Sequence, residues 1–162
     1  MRTIRTAHLE ELTAIRKRQS LGTLKSNSRL NAVAQDYACL LARTGHFDHF
    51  GPDGSTLATR VTDGGYQYCL AAENLALGQQ SVREALVAWV KSPEHWANIL
   101  LRDVVDVGLG LAWPLEDTSD GVAHDTKAGS LSALAVEMAS DTVNRSLQRR
   151  APVWVQIFAA PC

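Results

Sequence analysis

Four side chains in this sequence stand where their neighbours give them chemistry to do. His49 sits in a loop rich in Gly, Pro and Asp, Glu73 lies inside an apolar run, His95 falls in the first turn after a Ser92-Pro93 helix start, and Asp106 lies in a second apolar run. Burying a carboxylate is costly unless it is paired, hydrogen-bonded or bound to a metal, so Glu73 and Asp106 need partners, and the two histidines can supply them. At a helix start the positive end of the dipole disfavours imidazolium, which keeps a His95 nitrogen free to bind a metal or accept a proton. A His/His/carboxylate set suits a divalent ion such as zinc, or general acid and base work on a bound water with Glu73 as the base. No H-E-x-x-H run joins these residues, no G-x-S-x-G is present, and no Cys-His nucleophile pair stands out.

The elements that must position them follow from periodicity. Leu9, Leu12 and Ile15 predict a first helix over 7–21 that stops at Gly22. Leu30, Val33, Ala34, Tyr37, Ala38 and Leu41 form one face of a second helix ending near Gly45, with Asn31, Gln35 and Asp36 turned away. Residues 46–55 read as a turn-rich loop, and 68–77 as a strand carrying Glu73 at its middle. Ser81 and Glu84 form a capping box for a helix bearing Ala85, Leu86, Trp89 and Val90 on one face. Ser92 and Pro93 then start a short helix through Ile99. Alternation predicts strands over 104–113 and 153–159. Between them, 115–152 forms an unusual insertion whose second half, 131–147, reads as a helix or as an extra strand. The class is α+β, a small antiparallel sheet with helices packed over it.

With 162 residues, 46% of them hydrophobic, the chain suits one domain over 1–162 with a normal core. Its formal charge of -1, with no basic run beyond Arg149-Arg150, argues against nucleic acid or an anionic membrane as partner. No apolar stretch approaches the length of a membrane helix, and the first residues lack the apolar region of a signal peptide. The expectation is either a cytosolic chain or one whose secretion signal has been removed. Cys39, Cys69 and Cys162 have no C-x-x-C spacing. The alternatives are a Cys69–Cys162 bridge in an oxidising compartment, or three reduced thiols with Cys39 packed in a helix.

An ordered set of motifs carries a resemblance. Phe47-Asp48-His49-Phe50-Gly51-Pro52-Asp53-Gly54-Ser55, Ala72-Glu73-Asn74-Leu75-Ala76, Trp89 through Leu100, Asp106-Val107-Gly108-Leu109-Gly110 and Trp154-Val155-Gln156-Ile157-Phe158 follow the order seen in bacterial CAP (SCP-like) domains. The resemblance implies an α-β-α sandwich with a central, mainly antiparallel sheet flanked by helices. It implies a cleft holding His49, Glu73, His95 and an acid at Asp106, where bacterial members carry a Glu one methylene longer. Glu94 stands in place of a usual Gly and adds a negative charge beside His95, and Trp96 replaces a commonly basic residue. The family pattern uses His49 and leaves His46 as a solvated loop residue; His8 and His124 have no expected role. Asn74 and Asn98 are expected to tie down backbone, and Asn144-Arg145-Ser146 matches a glycosylation acceptor by its pattern alone.

The function so implied is a secreted, extracellular or periplasmic binding module that takes zinc or another divalent cation, with a lipid, sterol or cell-envelope ligand nearby. The alternatives are a hydrolase of peptidase type and a structural or partner-binding domain with a vestigial tetrad.

Overall fold

In a computed structural model, residues 1–114 and 151–162 can be described. The first helix, α1 (Arg2–Arg18), begins earlier than its apolar pattern predicts because nothing in residues 2–6 breaks it, and it ends before Ser20, which turns left-handed. A two-residue strand, β1 (Lys25–Ser26), precedes α2 (Ser28–Thr44). Asn27 caps α2 by accepting from the Arg29 and Leu30 amides, and Gly45 ends it at φ +67°. Then follow α3 (Leu57–Asp63), β2 (Tyr68–Leu77), α4 (Val82–Lys91), α5 (Pro93–Ile99), β3 (Asp106–Ala112) and β4 (Val153–Pro161).

The sheet runs β1-β3-β4-β2, with β1 parallel to β3 and the other pairs antiparallel. Periodicity could not reveal β1, which is too short to alternate, nor α3, whose Thr56/Thr59 capping box is followed by a single apolar pair, Leu57 and Val61. At the α5 start Pro93 takes the first turn as expected, whereas the Ser92 side chain makes no capping bond.

Each face of the sheet carries its own core. Leu30, Val33, Ala34, Tyr37 and Leu41 of α2 pack on Leu75, Val155 and Ile157, while Leu12, Leu86, Trp89 and Ile99 pack on Leu109, Trp154 and Phe158 from the opposite side. This is an α-β-α sandwich with a mainly antiparallel sheet. Helix α2 lies unusually close to β3: a Cβ at Gly108 would strike the Leu30 backbone, and one at Gly110 the Ala34 backbone.

That approach corrects one sequence expectation. Asn31 and Gln35 do not face away from the core. Asn31 Oδ1 accepts from the Leu109 amide at 2.9 Å, and Gln35 Nε2 donates to the Leu111 carbonyl at 2.8 Å, covering the part of the β3 edge that β1 leaves unpaired. Cys69 and Cys162 form a disulfide joining the start of β2 to the chain's last residue, with Cα atoms 4.9 Å apart, and Cys39 is exposed rather than packed. The reading of 131–147 as helix or strand, His124 and Asn144 all lie outside the described residues.

Candidate functional site

Strand β2 sets Glu73 opposite Ile157 of β4, beneath α2 and α3, where its carboxylate is almost wholly buried. A carboxylate buried there must be compensated, and two groups do it. His49 Nδ1 lies 2.8 Å from Glu73 Oε1, and Arg60 Nη2, from α3, lies 3.1 and 2.9 Å from the two carboxylate oxygens. Because an ionised carboxylate can only accept, His49 carries its proton on Nδ1 and leaves the Nε2 lone pair free when the ring is neutral. The His49 side chain is 56% exposed.

Arg60 is the member that the motif reading missed. Its guanidinium stacks 3.4 Å from the centroid of the Tyr37 ring and donates to the carbonyls of His49 and Ser55, tying the 46–55 loop to Glu73. Tyr37 in turn donates to the Asp48 carbonyl at 2.6 Å, and burial, the largest influence on it, pushes its hydroxyl up to about 12. The loop is braced internally, since Asp48 accepts from the Phe50 amide and Asp53 from the Ser55 amide. His46 is not simply solvated: its Nε2 bonds the Phe50 carbonyl. A usable signal for Arg60 existed in the sequence, as a buried Glu73 demands a cation and Arg60 lies between it and His49 in the chain.

Of the four, His49 and Glu73 are in contact, whereas Asp106 is held by other partners. Asp106 pairs with Ala159, two residues along β4 from Ile157, the partner of Glu73, and β4 lies between the two strands, which sets them about 10 Å apart across the sheet at ordinary strand spacing. There it accepts from the Tyr66 hydroxyl at 2.7 Å and from Asn27 Nδ2 at 3.2 Å, so its carboxylate is satisfied by partners outside the site. His95 sits half-buried at the start of α5, close enough to His49 to feel its charge. Its pKa falls below the ordinary value, chiefly through burial and then through His49, and the upward influence of Glu94 does not overcome them. His49 moves the opposite way, raised first by its hydrogen bond to Glu73 and opposed by burial.

Asn74 and Asn98 hold backbone as expected: Asn74 Nδ2 donates to the His95 carbonyl, and Asn98 Nδ2 to the Glu73 carbonyl. His8, given no role by the sequence, is buried and bonds Gln156 behind this pair.

As arranged, the site does not fit a divalent cation. Both Glu73 oxygens accept from Arg60, one of them also from His49, and among the described residues no three His, Cys, Asp or Glu side chains come together as ligands. Nor is Glu73 free to act as a base. His49 Nε2 is left open to a ligand or a proton.

Comparison with known proteins agrees with this fold. Residues 9–113 match the family described as CAP, the cysteine-rich secretory protein family. The chain is 32% identical over 101 residues to the uncharacterized protein YkwD of Bacillus subtilis (strain 168), covering 62% of this chain but only 39% of that protein. Among solved structures it resembles an outer surface protein from Borrelia burgdorferi, with a TM-score of 0.72 at 19% identity over 99% of this chain and 94% of that one. It also resembles an extracellular protein containing a SCP domain from Bacillus anthracis, with a TM-score of 0.68 at 20% identity over 96% of this chain and 39% of that one.

Proposed function

Because the chain belongs to the cysteine-rich secretory protein (CAP) family, we propose that it is an extracellular binding module of the bacterial kind whose His49 loop takes an amphipathic cell-envelope lipid. One observation carries the reading. Phe47 and Phe50, 43% and 56% exposed, stand either side of His49 in the sequence, so that one short loop carries exposed apolar surface together with an exposed hydrogen-bonding ring. Glu73 fixes that ring's tautomer from beneath, and Arg60 fixes the loop, which lowers the ordering cost of binding. The lipid's polar head would meet His49 Nε2 and its chains the two phenylalanines. The extracellular setting is carried over from the relatives, two of which are described as extracellular or outer-surface proteins, and the disulfide suits an oxidising compartment.

The near-neutral charge directs the test to zwitterionic lipid. The protein should sediment with phosphatidylcholine vesicles, Phe47→Ser with Phe50→Ser should weaken this by about tenfold or more, and His49→Ala should weaken it less. Retention of the wild type in the supernatant, or sedimentation unaffected by the phenylalanine changes, would overturn the reading.

A further inference from the structure

We propose that Arg60 is the built-in cation of the Glu73 site and the residue that closes it to divalent metal ions. This goes beyond the lipid reading and does not depend on it. A metal ion bound to Glu73 must come within about 2 Å of a carboxylate oxygen, and the Arg60 Nη2 atom stands 2.9 Å from one such oxygen and 3.1 Å from the other. Two cations cannot share that carboxylate without strong repulsion in a poorly solvated pocket.

The guanidinium is also not free to swing aside. Its side chain is only 9% exposed, it stacks on Tyr37, and it donates to the His49 and Ser55 carbonyls. Displacing it would strip the loop of its tie and leave a buried charge unpaired. Arg60 Nε is buried without a hydrogen-bond partner among the described residues.

With Arg60 removed, the remaining donors change character. Glu73 would keep one oxygen for the His49 Nδ1–H and turn the other to an incoming cation. A carboxylate oxygen so freed is a donor of the kind zinc takes.

The test is zinc affinity, read by competition with a chromophoric chelator, in the wild type and in Arg60→Met, Arg60→Gln and Arg60→Lys. The neutral variants should bind zinc about tenfold or more tightly than the wild type. Arg60→Lys, which retains the charge, should behave as the wild type does, and adding Glu73→Gln to Arg60→Met should abolish the gain. Arg60→Gln can still donate to the loop carbonyls, so it supplies the comparison should Arg60→Met fail to melt cooperatively. Wild-type binding as tight as that of the neutral variants would overturn the proposal. So would neutral variants no tighter than the wild type, or a gain that persists without the Glu73 carboxylate. A purely structural role for Arg60 would lower the melting temperature of its variants and leave zinc affinity where it was.

Discussion

The free nitrogen of His49 owes its chemistry to a residue that solvent hardly reaches. Glu73 raises the His49 pKa because the hydrogen bond is strongest when the ring is charged, whereas burial and the Arg60 charge pull it down. Glu73→Gln should therefore lower the His49 pKa, as read from its ring protons by NMR titration, since the amide still accepts a hydrogen bond but no longer faces the imidazolium with a full charge. The sign for stability follows. A folded pKa raised above the unfolded 6.5 means that the pair's contribution is complete below 6.5 and is lost as pH rises through the folded value, and that component should vanish from the stability profile of Glu73→Gln. An unchanged His49 titration in the variant would mean that the contact does not govern the ring. Glu73 thus acts as an orienting carboxylate for the His49 ring.

Beside the Arg60–Glu73 ion pair, the elements around the site are locked to one another by side-chain amides. Asn98 Nδ2 donates to Asn74 Oδ1, and Asn74 Nδ2 donates to the His95 carbonyl and to Gln156 Oε1, which couples α5, β2 and β4. Since the Gln156 carbonyl oxygen already faces Asn74, its amide nitrogen must donate to His8 Nε2, 2.6 Å away on α1. His8 is therefore a neutral acceptor, and complete burial lowers its pKa from 6.5 to about 4. A depressed folded pKa means stability that is whole above pH 6.5 and declines as pH falls toward 4, by about 3 kcal/mol at the far end. Denaturant titrations across that range should show the decline in the wild type and a smaller one in His8→Gln, which can accept without titrating. Equal slopes in the two proteins would remove His8 as the cause. Helix α1 is thus tied to the sheet in part by a bond that protonation of His8 would break.

At the level of the whole molecule, what the sequence discloses and what it hides divide along one physical line. Helices and strands whose apolar residues repeat over several turns, such as Leu30 to Leu41 or Val105 to Leu111, advertise themselves, and so does the ordered set of motifs around His49, Glu73 and His95. The partners of buried polar groups do not, because they depend on where the chain returns: Arg60 reaches Glu73 from a seven-residue helix with a single apolar pair, Asp106 finds Tyr66 instead of the histidines, and Asn31 turns inward to serve an open strand edge. The Cys69–Cys162 bridge shows the same dependence, since spacing alone left it level with three free thiols. It encloses a loop of 93 residues in sequence separation that includes 115–150, and in the chain-entropy description a loop of that size stabilises the fold by about 4–5 kcal/mol through restriction of the unfolded chain. Joint replacement of Cys69 and Cys162 by Ser should thus lower the denaturant midpoint markedly, and reductant should lower the wild-type midpoint but leave that of the variant unmoved. Since the bridge joins strands already paired along most of their length, from Leu70 with Ala160 to Leu77 with Val153, the folded sheet should survive its loss below the new midpoint with unchanged circular dichroism. A variant as stable as the wild type would show that the long excursion between β3 and β4 is already constrained in the unfolded chain by other means.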